Sequence, residues 1–148
     1  PSLTLIAATV FLGACSSNPG APAVVDARVG APTGPNAAVY LTVEAYGEMD
    51  TLVSASTDVA DSVELHETNM ADDGTMSMQQ APGFDLPADG ELVLEPGGKH
   101  IMLVGVDQLD VGATISVTLQ FAGAGDLQVD VEVVEPAETM DHDMGDDS

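Results

Sequence analysis

Soft metal ligands are concentrated between residues 66 and 102 of this chain. That segment holds two of the three histidines and four of the seven methionines, while the whole sequence has one cysteine and no tryptophan. Thioether sulfur combined with imidazole nitrogen, in the absence of thiols, is the donor set that suits Cu(I). A thioether also binds Cu(I) in an oxidising compartment without being lost to disulfide formation. The segment therefore predicts a Cu(I) site.

The strand pattern of these residues indicates how the site could be assembled. Residues two apart on a strand point to the same face, so His100 and Met102 project together. Met76 and Met78 share a face in the same way, and either could be a ligand. His66 closes another predicted strand. We expect three strand ends to converge at one rim of the fold and to form a His2Met2 set from His66, Met76 or Met78, His100 and Met102.

The elements that must position these ligands are short β-strands. From residue 37 onward apolar and polar residues alternate, and no window of 11 or more residues shows a helical period. Turn residues such as the Pro-Gly-Gly at 96–98 separate the alternating segments. Seven to nine strands at this spacing predict an all-β fold, an antiparallel Greek-key β-sandwich over residues 37–134. The predicted strands span residues 38–46, 51–56, 62–66, 75–80, 91–95, 100–104, 113–121 and 127–134.

The first 36 residues are interpreted as part of an export signal followed by a tether. Residues 1–14 contain an apolar run that is too short to span a bilayer and suits a signal peptide. The Leu-Gly-Ala-Cys sequence that ends at Cys15 resembles the lipobox of bacterial lipoproteins, so we expect lipidation of Cys15 and an extracytoplasmic, membrane-anchored protein. Residues 15–36 are rich in Ser, Pro, Gly and Ala and are predicted to be a flexible tether, in which residues 24–29 could add an edge strand.

The C-terminal residues 135–148 form an acidic segment with almost no aliphatic residues, which predicts a disordered tail. Met140, His142 and Met144 occupy alternate positions in it. In an extended chain these three side chains could bind a second copper ion. The alternative interpretation is an acidic, solvated tail that happens to contain one histidine.

The segments AAVYLTVEAYGEMDTLVSASTDVADSVELHETNM, DGTMSMQQ and LVLEPGGKHIMLVGV resemble the PCuAC-type periplasmic copper chaperones. The motif of that family is His, ten residues, Met, twenty-one residues, then His-x-Met. Twenty-one residues separate Met78 from His100, which opens a His-x-Met with Met102, whereas eleven residues follow His66. We expect the turn at residues 71–74 to absorb the additional residue. The resemblance implies a cupredoxin-like fold and Cu(I) ligands His66, Met78, His100 and Met102.

The resemblance also implies that the chain is a copper carrier and that its acceptor is the copper centre of cytochrome c oxidase. A methionine in a strand more often fills the core than binds metal, and Met70 and Met76, taken singly, are interpreted as core residues. A blue-copper electron-transfer protein would need a thiolate ligand, and Cys15 lies outside the predicted domain.

The net charge limits the remaining functions. Twenty-five Asp and Glu against two Lys and Arg give a formal charge of -23, which disfavours binding to nucleic acid or to anionic lipid head groups. No Ser/His/Asp set or paired carboxylates stand out, so we expect no enzyme activity. The alternative to a copper chaperone is an acidic cell-surface β-sandwich that serves a binding or structural role without copper transfer.

Overall fold

Ten strands and no helix make up the fold of this computed structural model, which describes residues 20–32 and 34–135. Within these residues, no segment forms a helix with the length and hydropathy needed to cross a membrane. The all-β prediction is confirmed. In chain order the strands are β1 (Ala23–Gly30), β2 (Asn36–Glu44), β3 (Asp50–Ser56), β4 (Ala60–Met70), β5 (Met76–Gln80), β6 (Phe84–Leu86), β7 (Glu91–Leu94), β8 (Lys99–Val106), β9 (Thr114–Phe121) and β10 (Gly125–Val134).

The strands follow from period-two alternation of buried and exposed side chains. In β2 every second residue is buried, with Val39, Leu41 and Val43 on the core side, and β9 has the same pattern. Alternation of this kind specifies which face of a strand packs on the core, because a slip of one residue would turn the whole apolar set outward. One cluster of apolar side chains from most of the strands therefore fills the interior.

Hydrogen bonding connects the strands in the order β5-β4-β8-β2-β1-β10-β9-β3-β6, and β7 pairs with β2. Both halves of this path contribute buried residues to the same core, for example Val39 from β2 and Leu52 from β3. The path thus folds over on itself as a sandwich. All pairs are antiparallel except β1 and β10, which run parallel, so the sheet is mixed.

Strand β1 corrects the predicted start of the domain. Residues 15–36 were interpreted as a tether with at most an edge strand, yet β1 lies inside the sheet between β2 and β10. The sequence does not predict this strand well, because an irregularity interrupts the alternation of buried and exposed residues. The register shifts between Val25 and Arg28, and Asp26 has a φ of 53°. Val29 is the fully buried residue of the strand.

Two further differences concern strand length and number. Strand β4 was predicted to end at His66, but it continues to Met70 because Glu67 to Met70 pair with β5. Strand β6 was not predicted. It has only three residues, of which Phe84 and Leu86 are buried, and so short a run carries too little alternation to be recognised.

A buried carboxylate joins two distant turns. Asp50 is only 7% exposed and accepts four hydrogen bonds. The donors are the Tyr46 hydroxyl at 2.8 Å and the backbone N–H groups of Thr51 at 2.8 Å, Gly123 at 2.7 Å and Ala124 at 2.8 Å. The carboxylate therefore fixes the turn between β9 and β10 against the start of β3.

Gly105, near the end of β8, has a φ of 70° and faces Asp61 of β4, whose carboxylate occupies the space that a Cβ would need. We expect Gly105→Ala to lower the free energy of unfolding by about 2 kcal/mol, since it combines left-handed backbone strain with a collision. Gly97→Ala is the matched control, because Gly97 has a φ of 82° in open space and should show the backbone cost alone. Urea unfolding measures both. Equal losses for the two variants would contradict the collision.

Candidate functional site

A row of side chains crosses five neighbouring strands on the face of the sheet that points away from the core. Strand register places Arg28 opposite Tyr40, and His66 opposite both His100 and Gln80. The Tyr40 and His100 rings complete the row, with centroids 6.3 Å apart. Both histidines therefore lie in the middle of a sheet, although they are 34 positions apart in the sequence.

The two imidazoles face each other at close range. Their ring centroids are 5.7 Å apart with an interplanar angle of 48°. His100 is 3% exposed, and the His66 side chain is 17% exposed. His66 Nδ1 and His100 Nε2 are buried and have no hydrogen-bond partner. Buried ring nitrogens are normally hydrogen-bonded, so two unpartnered nitrogens on neighbouring rings are available as ligands for an ion.

Glu64 fixes the orientation of His66. The two residues are two apart on β4, and Glu64 Oε2 lies 2.7 Å from His66 Nε2. A carboxylate accepts, so Nε2 carries the proton and Nδ1 presents its lone pair. A carboxylate on the second ring nitrogen is the usual arrangement around metal-binding histidines, where it sets the tautomer and increases ligand basicity.

Burial controls the charge of His100. It lowers the pKa of the ring, a hydrogen bond with the Gly98 backbone acts in the opposite direction, and a protonated His66 would lower the pKa further. Since the pKa lies below the usual value for histidine, the ring is neutral at pH 7. A neutral ring has a lone pair to donate, which a protonated ring lacks.

Met102 and Met78 lie on the same face, on opposite sides of the histidine pair. Met102 is opposite Glu64 on the neighbouring strand and is partly buried. Met78 is opposite Thr68 on the edge strand β5 and is 53% exposed. Strand register thus brings all four predicted ligands, including His66 and His100, to one patch of one face.

The register of β4 and β5 also distinguishes the two candidate methionines. The Thr68–Met78 pair is two cross-strand pairs away from the His66–Gln80 pair, whereas the Met70–Met76 pair is four pairs away. Met78 is therefore nearer to the histidines than Met76.

The turn between β4 and β5 lies where the additional residue was expected. Ala71 N–H donates to the Thr75 carbonyl at 2.8 Å, and Gly74 N–H donates to the Ala71 carbonyl at 2.9 Å. Gly74 has a φ of 85°, and the Asp73 carboxylate accepts from Thr75 N–H at 2.9 Å. This closed turn leaves Met78 on the His66 face.

The prediction that three strand ends meet at a rim was wrong for His66 and Met78, which lie inside β4 and β5, whereas His100 is the second residue of β8. His66 is in the middle of β4, and the candidate ligands project from the face of the sheet. Sequence reasoning also missed Glu64 and Tyr40. The spacing of Glu64, two residues before His66, could have indicated that they share a face. Nothing in the sequence could have placed Tyr40 beside His100, because that contact depends on the pairing of β2 with β8.

Other predicted ligands cannot be placed. Cys15 and the tail residues Met140, His142 and Met144 lie outside the described residues. Within the described part of the chain, no group of three or more His, Cys, Asp or Glu is arranged to hold a metal ion. Among the described residues, the candidate ligands are therefore the four already predicted, His66, Met78, His100 and Met102.

Known proteins match both the sequence and the fold. "Putative lipoprotein Lxx21020" from Leifsonia xyli subsp. xyli is 44% identical over 84 residues, which cover 55% of this chain and 50% of that protein. The chain thus spans about half the length of this curated relative.

Two solved structures share the architecture. The apo PCuAC domain from PmoF1 is 25% identical, with a TM-score of 0.68, and the match covers 80% of this chain and 98% of that domain. The Cu(I) form of DR1885 from Deinococcus radiodurans is 32% identical, with a TM-score of 0.59, over 74% of this chain and 75% of that one. The resemblance to PCuAC domains and the cupredoxin-like fold are confirmed.

The family described as "Putative lipoprotein LpqE-like" matches residues 22–133, which include every described strand from β1 to Val133 of β10. The chain belongs to this LpqE-like lipoprotein family, which is related to the PCuAC domains.

Proposed function

We propose that this protein is a lipid-anchored Cu(I) chaperone that works outside the cytoplasm and delivers copper to an acceptor metalloprotein. The observation that carries the proposal is the pair of unpartnered, buried ring nitrogens, His66 Nδ1 and His100 Nε2, on rings 5.7 Å apart. Met78 and Met102 on the same face would complete a His2Met2 set. This donor set suits Cu(I), and the Cu(I) form of DR1885 has the same fold.

Each ligand would have a distinct role. His100 is buried and neutral, and His66 is oriented by Glu64, so the two nitrogens are held ready for the ion. Met102 is partly buried beside them, whereas Met78 is half exposed on the edge strand. Exchange with an acceptor would therefore begin at Met78, whose place an incoming ligand can take while the three deeper donors still hold the ion. Cu(I) is cargo throughout and no electron is transferred.

The anchor and the acceptor belong to the same proposal. Membership of a lipoprotein family supports lipidation of Cys15, which would keep the domain at the outer face of a membrane. By analogy with the PCuAC family, the acceptor would be the copper centre of cytochrome c oxidase. A carrier function requires no reaction to be catalysed, and we propose none. Met140, His142 and Met144 of the tail remain candidates for a second copper site.

Anaerobic titration with Cu(I) against a competing chelator, followed by X-ray absorption, tests the proposal. The full chain should be used with Met140, His142 and Met144 replaced by Leu, Ala and Leu, so that the tail does not compete. We expect one tightly bound ion with both nitrogen and sulfur ligands. Two results would contradict the chaperone function and favour a structural surface module: an ion bound only by oxygen ligands, or failure of the protein to take Cu(I) from the chelator.

The Glu64 contact gives a separate prediction. Glu64→Ala should weaken Cu(I) binding by about tenfold, because His66 would lose the acceptor that sets its tautomer. Glu67→Ala is the matched control: it removes the same charge from the residue directly after His66, which points to the other face of the strand and pairs with Lys99 at 3.5 Å. Chelator competition measures both affinities. Equal losses for the two variants would show that charge, rather than the hydrogen bond, is responsible.

A further inference from the structure

Three exposed methionines lie together on the hairpin of β4 and β5. Met70 is 69% exposed, Met76 is 54% exposed and Met78 is 53% exposed. The expectation that Met70 and Met76 fill the core was therefore wrong. All five residues of β5 are exposed, so this hairpin extends beyond the part of the sheet that covers the core.

Strand register places the three thioethers side by side. Met70 and Met76 are directly opposite each other, and Met78 follows Met76 on the same face. Opposite side chains have Cβ atoms about 4.5–5.5 Å apart, and long side chains can also reach a diagonal neighbour. Three flexible thioethers can thus converge on one point above the hairpin.

The surroundings suit a soft cation. The turn that joins the strands carries Asp72 and Asp73, both exposed, in a chain with a net charge of -23. Carboxylates at this position raise the local concentration of cations. Three neutral sulfurs beside them select for a soft ion, since a hard ion such as Ca2+ prefers oxygen ligands.

We propose that Met70, Met76 and Met78 form a second, outer Cu(I) site, which loads the His66–His100 site. The loading role rests on the proposed chaperone function; binding at the outer site does not. Met78 belongs to both ligand sets, so the ion can move without being released. The bonds from copper to the Met70 and Met76 sulfurs break as bonds to His66 Nδ1, His100 Nε2 and the Met102 sulfur form. Only dative bonds exchange, and copper remains Cu(I).

Titration with Ag(I), a redox-inert substitute for Cu(I), tests the outer site in the full chain, again with the tail ligands replaced. The methionine methyl groups are labelled with 13C and followed by NMR. We expect the first equivalent to shift the Met78 and Met102 signals and the second to shift Met70 and Met76 together. Met49 is the internal control, because it is 80% exposed and lies in another turn. Met70 and Met76 signals that move no more than that of Met49 would overturn the proposal.

A second protein separates this inference from the proposed function. In a His66→Ala, Met102→Ala variant the inner site is removed, and the first equivalent of Ag(I) should shift Met70, Met76 and Met78. In the chain that retains His66 and Met102, Ag(I) could shift the Met70 and Met76 signals and leave the Met102 signal unmoved. That result would contradict the inner site and support the outer site. If Met102 responds and Met70 and Met76 do not, the outer site fails alone.

The loading role has its own variant. Met70→Leu, Met76→Leu keeps apolar side chains of similar size but removes two sulfurs. We expect a several-fold slower transfer of Cu(I) from a chelator to the inner site, with the final affinity of that site unchanged. Met49→Leu is the matched control. An unchanged transfer rate would overturn the loading role.

Discussion

Replacement of His66 by alanine should lower the affinity for Cu(I) by about a hundredfold, which corresponds to ~2.8 kcal/mol. The variant removes a nitrogen whose lone pair is already oriented by Glu64 and leaves His100 as the only imidazole of the pair. The fold should survive, because the His66 side chain lies on the outer face and is not part of the apolar core. Anaerobic competition with a Cu(I) chelator measures the affinity, and circular dichroism checks the fold.

Gln80→Ala is the matched control for this experiment. Gln80 lies directly opposite His66 on the edge strand and on the same face, but its side chain is not among the proposed ligands. Its removal should change the affinity by less than a factor of about three. If His66→Ala bound Cu(I) as tightly as Gln80→Ala, the assignment of His66 as a ligand would be wrong.

Asp50→Ala should lower the free energy of unfolding by about 3 kcal/mol at pH 7. The substitution leaves the N–H groups of Gly123 and Ala124 without their buried acceptor, and hydrogen bonds to a charged group are worth more than neutral ones. Asp85→Ala, on the adjacent strand, removes the same charge from an exposed position and should cost far less. Urea unfolding compares the two, and equal losses would show that the hydrogen bonds are unimportant.

The same carboxylate gives the stability a defined pH dependence. Burial alone would raise the pKa of Asp50, but the hydrogen bonds from Gly123, Ala124, Thr51 and Tyr46 outweigh burial and lower it. A lowered pKa means that the unfolded chain binds the proton more readily than the native protein does. This contribution is therefore complete above the usual pKa of aspartate and disappears as the pH falls through the lowered value. Asp50→Ala should flatten the acid side of the stability profile, and an unchanged profile would contradict the role of Asp50.

Local periodicity was sufficient to predict much of the fold and half of the site. Alternation identified β2, β8 and β9 and placed His100 and Met102 on one face, because the side-chain direction on a strand depends only on sequence parity. It failed for β1, where an irregularity at Asp26 breaks the alternation, and for the three residues of β6.

The rest of the site depends on contacts that sequence parity does not specify. His66 lies opposite His100 only in the observed register of β4 against β8. That register is favoured because it buries Leu65 and Ile101 together in the core. The exposure of Met70 likewise depends on how far the β4–β5 hairpin extends past that core. The ligand set His66, Met78, His100 and Met102 is implied by the family motif and does not depend on these contacts.

The position of β1 inside the sheet has a consequence for the orientation of the protein on a membrane. Successive reversals from β1 to β2, β8 and β4 make β4 antiparallel to β1, so Met70 lies at the same end of the sheet as Ala23. Only the eight steps from Cys15 to Ala23 separate that end from the proposed lipid anchor, a reach of at most about 29 Å. If Cys15 carries the proposed lipid, the end of the sheet from which the methionine hairpin extends is the end tethered to the bilayer. Under the proposed function, copper exchange at that hairpin would then take place near the membrane surface.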